Sequence, residues 1–396
     1  MILLSWLLAA SLAVPDWPQW RGPGRDGRAG VSPEPASWPK TLTKVWTARA
    51  GIGHASPVVA GDRVYVFSRE GEEEVLASLD LATGGRVWRQ SYPAPYTVNP
   101  AAAGHGKGPK STPVVQGGRV HVLGIAGTLS TFDAARGTLL WRKEGGGSPD
   151  FGTAQSPLVE GELLIVHLGG HGGALTAFDA ATGAVRWAWK GDGPGYASPV
   201  VATLGGVRQV VTLTEQSLVG LSLDKGELLW QVPFATEYAQ NSVTPLVLGD
   251  LVVYSGLDKG VHGARVVRRE GRFTLEEKWA NPDVAFYMSS PVADGGIVYG
   301  FSHKKKGEFI ALDAETGRLR WRSDGRQGEN AALVVAPKAL LLLTTEGELV
   351  VAAKGGERFT PLATYTVAST PTWAHPAVIG PGIVVKDAEA VTLWRP

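Results

Sequence analysis

One plan recurs along the whole chain, and a repeated plan restricts the possible folds more than any single motif does. Three segments, starting at Ser56, Ser111 and Ser156, overlay almost without gaps: "SPVVAGDRVYVF…LDLATGGRVWRQ", "STPVVQGGRVHVL…FDAARGTLLWRK" and "SPLVEGELLIVHL…FDAATGAVRWAWK". Copies from Ser198 and Ser290 follow the same order, weaker ones begin at Thr244 and Ala332, and a truncated one begins at Thr370. The closing aromatics are Trp46, Trp88, Trp141, Trp187, Trp230, Trp279, Trp321 and Tyr365, separated by 42, 53, 46, 43, 49, 42 and 44 residues. Four short strands fit such a unit. The first opens on Ser/Thr-Pro, because proline is tolerated where a strand begins and no ladder N–H is needed. A two-residue turn such as Gly61-Asp62, Gly117-Gly118 or Gly161-Glu162 leads to the second strand. The fourth carries the tryptophan.

Between the third and fourth strands lies Asp-x-x-Thr-Gly-x-x-x-Trp, as Asp80/Thr83/Gly84/Trp88, Asp179/Thr182/Gly183/Trp187 and Asp313/Thr316/Gly317/Trp321. Asp and Thr side chains can bond turn amides, and glycine accepts a left-handed backbone. The tryptophan then lies against the neighbouring sheet, so the seven tryptophans are expected to dock blade on blade. The motif erodes at Ser222/Lys225 and is lost in the fifth and seventh units. Eight units of about 40–45 residues predict an all-β, eight-bladed propeller of four-stranded antiparallel blades. The last copy lacks one strand, and "LTKVWTARA" at Leu42–Ala50 stands ahead of the first unit as the strand that closes the ring.

Composition agrees with short strands and tight turns: 52 glycines, 26 prolines and 14 tryptophans in 396 residues. A net charge of +1 with 19% charged residues gives no footprint for nucleic acid. Cysteine is absent, which removes disulfides, thiolate metal sites, a cysteine nucleophile and the lipidated cysteine of a lipoprotein. Residues 1–13 form an apolar run ending in small residues, too short to span a bilayer, and read as a secretory signal peptide without its usual basic start. The expected organisation is a signal over 1–13, an N-terminal arm over 14–41 packing on one face or docking a partner, and a propeller over 42–396. The protein is expected to be monomeric, periplasmic or secreted, with no transmembrane segment.

These repeats resemble those of the PQQ-like, quinoprotein-type propellers. The openings "DWPQWRGPGRDG" (Asp16–Gly27) and "GYASPVVATLGGVRQVV" (Gly195–Val211) are similar to exported PQQ-like repeat proteins of planctomycete-type bacteria. The resemblance implies one of two branches. One is the pyrroloquinoline-quinone alcohol dehydrogenases, with a vicinal cysteine pair, a calcium held by Glu, Asn and Asp, and an Asp base. The other is non-catalytic and includes the propeller lipoprotein of the outer-membrane β-barrel assembly machinery. With no cysteine and no dense acidic loop, the expectation is a non-catalytic scaffold binding an envelope protein or a small polar ligand. Neither quinone nor calcium is then a cofactor.

Other features carry little chemistry. "GHGKGPKSTPVV" (Gly104–Val115) looks like a phosphate loop, but Pro109 replaces the glycine before the lysine and a β-branched run follows instead of a helix. "REGEEEV" (Arg69–Val75) reads as a solvated hairpin tip, and "HKKKGEF" from His303 as a wet turn. His167 and His171, four apart in a glycine-rich strand end, do not form a metal pair. The segments just ahead of the inner strands converge at one mouth of the channel. They supply His54, His105, Lys107, Lys110, Gln155, Tyr196, Gln240, Asn241, Tyr287 and Asn330 as a candidate funnel that binds a small polar molecule or peptide end, or encloses water.

Overall fold

The computed structural model describes residues 16–30 and 38–396; the signal assigned to residues 1–13 lies outside them. Eight four-stranded antiparallel sheets stand around one axis, an all-β, eight-bladed propeller. Blade 1 is β2 (Val58–Ala60), β3 (Arg63–Glu70), β4 (Glu73–Asp80) and β5 (Arg86–Pro93), in that order from hub to rim. Blades 2 to 7 repeat the order. Blade 8 joins β30 (Ala377–Ile379), β31 (Gly382–Lys386) and β32 (Ala390–Arg395) to β1 (Thr43–Arg49) at its rim. β1 pairs with β32 in the register Trp46↔Leu393 and Thr47↔Thr392, so the chain's two ends share one sheet and the ring has no open edge.

Every tryptophan of the series is preceded by a β-bulge. In blade 1, Trp88 pairs with Ser78 but Arg86 pairs with Leu79, leaving Val87 as the extra residue. The same shift isolates Val45, Leu140, Arg186, Leu229, Lys278 and Arg320, each one residue before its tryptophan. A bulge bends the strand and re-aims the next side chain, which turns each indole off its own sheet towards the next blade. The extra residue faces outward, which accounts for exposed Val45, Val87 and Leu140 on the rim.

The indoles land on the glycine of the next blade's turn. A Cβ at Gly84 would sit 2.7 Å from the ring of Trp46, at Gly137 2.6 Å from Trp88, at Gly226 2.4 Å from Trp187 and at Gly317 2.3 Å from Trp279. That glycine therefore answers two demands: a left-handed φ of about 70° and a flat seat for an indole. The indole N–H completes the seam by donating to a neighbouring carbonyl, as Trp46 to Leu81 (2.9 Å), Trp88 to Ala134 (3.0 Å), Trp141 to Ala180 (3.2 Å) and Trp279 to Ala314 (2.9 Å). The turn folds as its residues require: Asp80 accepts from the Thr83 amide at 2.9 Å and the Thr83 hydroxyl at 2.7 Å, and Asp179 and Asp313 do likewise. Trp230 departs from the pattern. Blade 5 has lost the turn, and this indole donates to Gln209 of its own blade at 2.6 Å while packing among residues of blade 5.

Candidate functional site

Around the hub the Ser/Thr-Pro motif makes a second seam. The Ser56 amide donates to the Thr112 hydroxyl (3.1 Å), Thr112 to Ser156 (3.0 Å), Ser156 to Ser198 (2.9 Å), Ser198 to Thr244 (3.3 Å) and Thr244 to Ser290 (3.0 Å). The chain breaks at blade 7, which has alanines there, and resumes where the His375 amide donates to Ser56 at 2.8 Å. His375-Pro376, not Thr370-Pro371, therefore opens the last blade. The inner strand begins at Ala377, and Thr370 instead caps a loop by accepting from the Ala388 amide.

The N-terminal arm packs against the disc on the side of the first hairpin turns, where Asp16 accepts from the Gly61 amide (2.8 Å) and Arg28 pairs with Asp294 (2.8 Å). Residues 16–30 enter the hub and line it with cations. Arg25 is 3% exposed and donates to the carbonyls of Ser156 (3.1 Å), Pro157 (2.8 Å) and Pro199 (3.1 Å). Arg21, 1% exposed, donates to the Pro291 carbonyl, and its Nε and Nη1 have no partner. Main-chain bonds fasten both ends of the arm, Trp17 with Val59 and Gly27 and Ala29 with Val335. Burial holds Arg21 down to about 10 and Arg25 to about 9, the latter also repelled by Arg21. The prolines of the motif thus have a use beyond starting strands: their carbonyls hold the arm.

Beside this plug lies a recess of about 1000 Å³, its open mouth included. Trp20 of the arm, the ring residues Ser198, Thr244, Ser290 and His375, and the segments ahead of the inner strands line it. Seven expected funnel residues meet there: His54, His105, Lys110, Tyr196, Gln240, Tyr287 and Asn330. Three do not. Lys107 points to Glu72 at 3.2 Å. Gln155 is buried and clamps the His167 main chain through its amide and carbonyl oxygen. Asn241, also buried, donates to the carbonyls of Thr214 (2.8 Å) and Phe234 (2.6 Å). These two amides tie loops together, a use that their sequence position alone does not reveal. Trp20, Phe151, Trp373 and His375 are lining residues that sequence reasoning missed. The His-Pro dipeptide was the available signal for the last of them.

The lining is wired by short contacts. His54, His105 and Trp373 cluster with ring centroids 5.7, 5.7 and 4.7 Å apart, and Trp20 lies 4.3 Å from His375. Tyr287 donates to Gln240 across blades 6 and 5. Lys110 donates to the Phe151 carbonyl at 2.8 Å, and the Tyr196 hydroxyl accepts from the Phe151 amide at 3.3 Å. The loop "GHGKGPK" earns its glycines here: Gly108 packs on Gly53, where a Cβ would approach Gly53 Cα to 2.4 Å. The Pro109 carbonyl accepts from the His54 and Ala55 amides (2.8 and 3.0 Å), so the loop offers carbonyls where a phosphate loop would offer N–H groups. Burial lowers His54 and His375 to about 3, with the neighbouring cations adding to it, and lowers Lys110 and Lys386 to about 8.

Elsewhere Glu74, expected to be solvated, is 1% exposed and accepts from the Tyr92 hydroxyl (2.7 Å) and the Ile125 amide (2.7 Å), joining blades 1 and 2. His167 is buried on the Asp192 carbonyl, while exposed His171 pairs with Glu215 at 2.6 Å. Among the described residues no group of three His, Asp or Glu could hold a metal ion, and no helix is long and apolar enough to cross a membrane.

A family model described as outer membrane protein assembly factor BamB, of the PQQ-repeat type, matches residues 38–187 and 71–323. The chain belongs to this family. None of the curated proteins compared matches it. Among solved structures, BamB from Moraxella catarrhalis is similar at 17% identity and a TM-score of 0.66, over 90% of this chain and 100% of that one. A quinohemoprotein alcohol dehydrogenase from Comamonas testosteroni is similar at 16% identity and a TM-score of 0.70, over 96% and 80%. A europium-containing methanol dehydrogenase shares 14% identity at a TM-score of 0.69, over 95% and 90%. At such identities the likeness speaks for the propeller alone, since BamB-type and dehydrogenase propellers share it.

Proposed function

We propose that this member of the BamB-type family is an exported, non-catalytic propeller of the cell envelope that uses its hub recess to bind a ligand or the end of a partner. Residues 1–13 would be its export signal, and it would work as a monomer without quinone or calcium. One observation carries the reading: in a molecule built by repetition, the side chains around the recess differ from blade to blade. Packing needs no such variety, whereas selective binding does.

The dehydrogenase neighbours raise the alternative of a calcium- and quinone-dependent oxidoreductase. The donors present do not suit it. Calcium takes six to eight oxygens, several from carboxylates, and the recess lining has neither Asp nor Glu. The chain has no cysteine to form a vicinal pair. Family membership raises a third reading, a part in outer-membrane protein assembly, in which the bound end would belong to an envelope protein.

Photo-crosslinkers placed at Gln240 and Tyr287 on the full chain, with native mass spectrometry of the purified protein, test the proposal. A bound species that disappears in a recess-filling Ser242→Trp variant is the expected result. Material that co-purifies equally with that variant argues against the recess. Stoichiometric uptake of pyrroloquinoline quinone and Ca²⁺ with alcohol-dependent dye reduction would overturn the non-catalytic reading.

A further inference from the structure

The lining of the recess carries positive charge and no carboxylate. Lys110 is its one formal charge, and of the three N–H donors on that ammonium one is used, on the Phe151 carbonyl. A second buried ammonium, Lys386, donates to the Gly53 carbonyl at 2.7 Å, directly ahead of His54, and to the Asp387 carbonyl at 3.0 Å. Arg21 and Arg25 stand in the adjoining hub and are met chiefly by main-chain carbonyls. The carboxylates nearby are engaged elsewhere. Asp26 accepts from the Arg28 amide, Glu72 from Lys107 and Arg69, Glu215 pairs with His171, and Glu346 accepts from the Glu329 amide. Glu329 lines a groove beside Tyr287 and a small pocket behind the recess wall formed by Tyr287, Met288, Asn330 and Trp373, and is not part of the recess lining itself. Asp26 acts on Arg21 and Asp387 on Lys386, but Lys110 and Arg25 have no carboxylate beside them; buried charge without a counter-charge is costly and is relieved by an anion that enters the site.

A second, independent feature points the same way. His54 Nε2 and His375 Nδ1, on rings that line the recess, are buried and have no hydrogen-bond partner. Buried polar atoms are nearly always satisfied, and an unsatisfied one calls for an explanation. A neutral imidazole can carry its proton on the free nitrogen and donate to an incoming oxygen. Trp20, Trp373 and Phe151 add flat apolar wall beside these donors.

We propose that the recess is a receptor for a carboxylate carried on a flat apolar body, with Lys110 as the anchoring cation and His54 and His375 as donors. The inference rests on the recess reading above and deepens it. A phosphate suits the site less well. Phosphate favours forked guanidinium groups or a nest of backbone N–H groups, and here the loop ahead of Lys110 turns the Pro109 carbonyl to its neighbours. The acid has two possible sources, a free small molecule or the carboxyl terminus of a polypeptide.

Calorimetric titration of the purified full chain at neutral pH decides the matter. The probes are benzoate and indole-3-acetate against their primary amides, and a pentapeptide ending in phenylalanine with a free or an amidated terminus. Acids are expected to bind at least tenfold more tightly than amides. Lys110→Met should erase that preference and Lys110→Arg should keep part of it. His375→Gln should weaken the acids severalfold and leave the amides unchanged. Urea midpoints for each variant confirm that it is folded. Tighter binding of the free-ended peptide than of the small acids assigns the site to a protein terminus, and the reverse order assigns it to a metabolite; both support the proposal. Equal affinity for acid and amide, no binding of any probe, or a preference that survives Lys110→Met overturns it. The broader recess reading fails on different evidence, namely mouth crosslinks that Ser242→Trp leaves unchanged.

Discussion

Blades 5 and 6 meet twice, at the rim and at the hub, and the two meetings differ in kind. At the rim Trp279 lies on Gly317 and donates to Ala314, a pairing of indole and glycine found also at the seams of Trp46, Trp88, Trp141 and Trp187. At the hub Thr244 donates to the Ser290 hydroxyl, again a repeated device, but beside it Tyr287 reaches Gln240, a pair found at no other described seam. Repetition serves the ring, because each sheet must offer the next the same surface for eight sheets to close. Outside the recess the devices recur with few exceptions, Trp230 among them, whereas in the recess closure asks nothing of the side chains and they vary from blade to blade.

The comparison breaks most readily at the rim. Trp279→Ala removes a buried indole, 7% exposed, from a seat shaped for it, and large-to-small changes of this kind cost about 3–5 kcal/mol. Urea denaturation of the full chain should show that loss, while Lys110→Met in the recess should leave the midpoint unchanged or raise it. A Trp279→Ala variant as stable as the parent would mean that the seam does not hold the ring.

Rim and hub also differed in how far they could be read from sequence. The eight units, the closing strand and the docking indoles were legible because they recur. The bulge before each tryptophan left only the faint sign of apolar Val45, Val87 and Leu140 in edge strands. The recess was legible by position: His54, Lys110, Tyr196 and Tyr287 stand just ahead of inner strands and do converge. Gln155 and Asn241 occupy the same position but turn into the protein to satisfy main-chain groups, a choice made by local hydrogen bonding. Trp20 and Arg25 were out of reach for another reason. Nothing in a repeat pattern says that a segment outside it will be inserted into the hub.

That inserted segment supplies a smaller test of the same contrast. Arg25→Met keeps most of the volume but leaves the Ser156, Pro157 and Pro199 carbonyls without their donor. Leaving buried acceptors unmet costs roughly 1–3 kcal/mol, so a loss of about 2 kcal/mol in urea denaturation is expected. A gain in stability would show that relieving buried charge outweighs the lost bonds, and the arm would then be a poor pin for the hub.

The smallest effect is one of pH. Burial lowers His54, His375 and, within a blade, His121 to about 3, and His167 to about 4, against 6.5 for free imidazole. The folded protein holds these rings neutral while the unfolded chain protonates them. Unfolding therefore takes up protons below pH 6.5, and stability is held above that pH and falls as the pH is lowered towards 3–4. At pH 6 each ring contributes less than about 1 kcal/mol, since one pH unit corresponds to about 1.4 kcal/mol per proton. The rings inside the blades have partners, His121 with Thr131 at 2.7 Å and His167 with the Asp192 carbonyl, whereas His54 and His375 each keep a free nitrogen. A His54→Gln/His375→Gln double variant should lose two protons' worth of the slope of stability against pH between 6.5 and 4. A saturating carboxylate ligand should flatten the acid side of the parent, because an anion beside the hub rings raises their pKa back towards the unfolded value. An unchanged slope in the double variant would mean that the hub histidines are already solvated, and the buried donors on which anion binding depends would be lost with it.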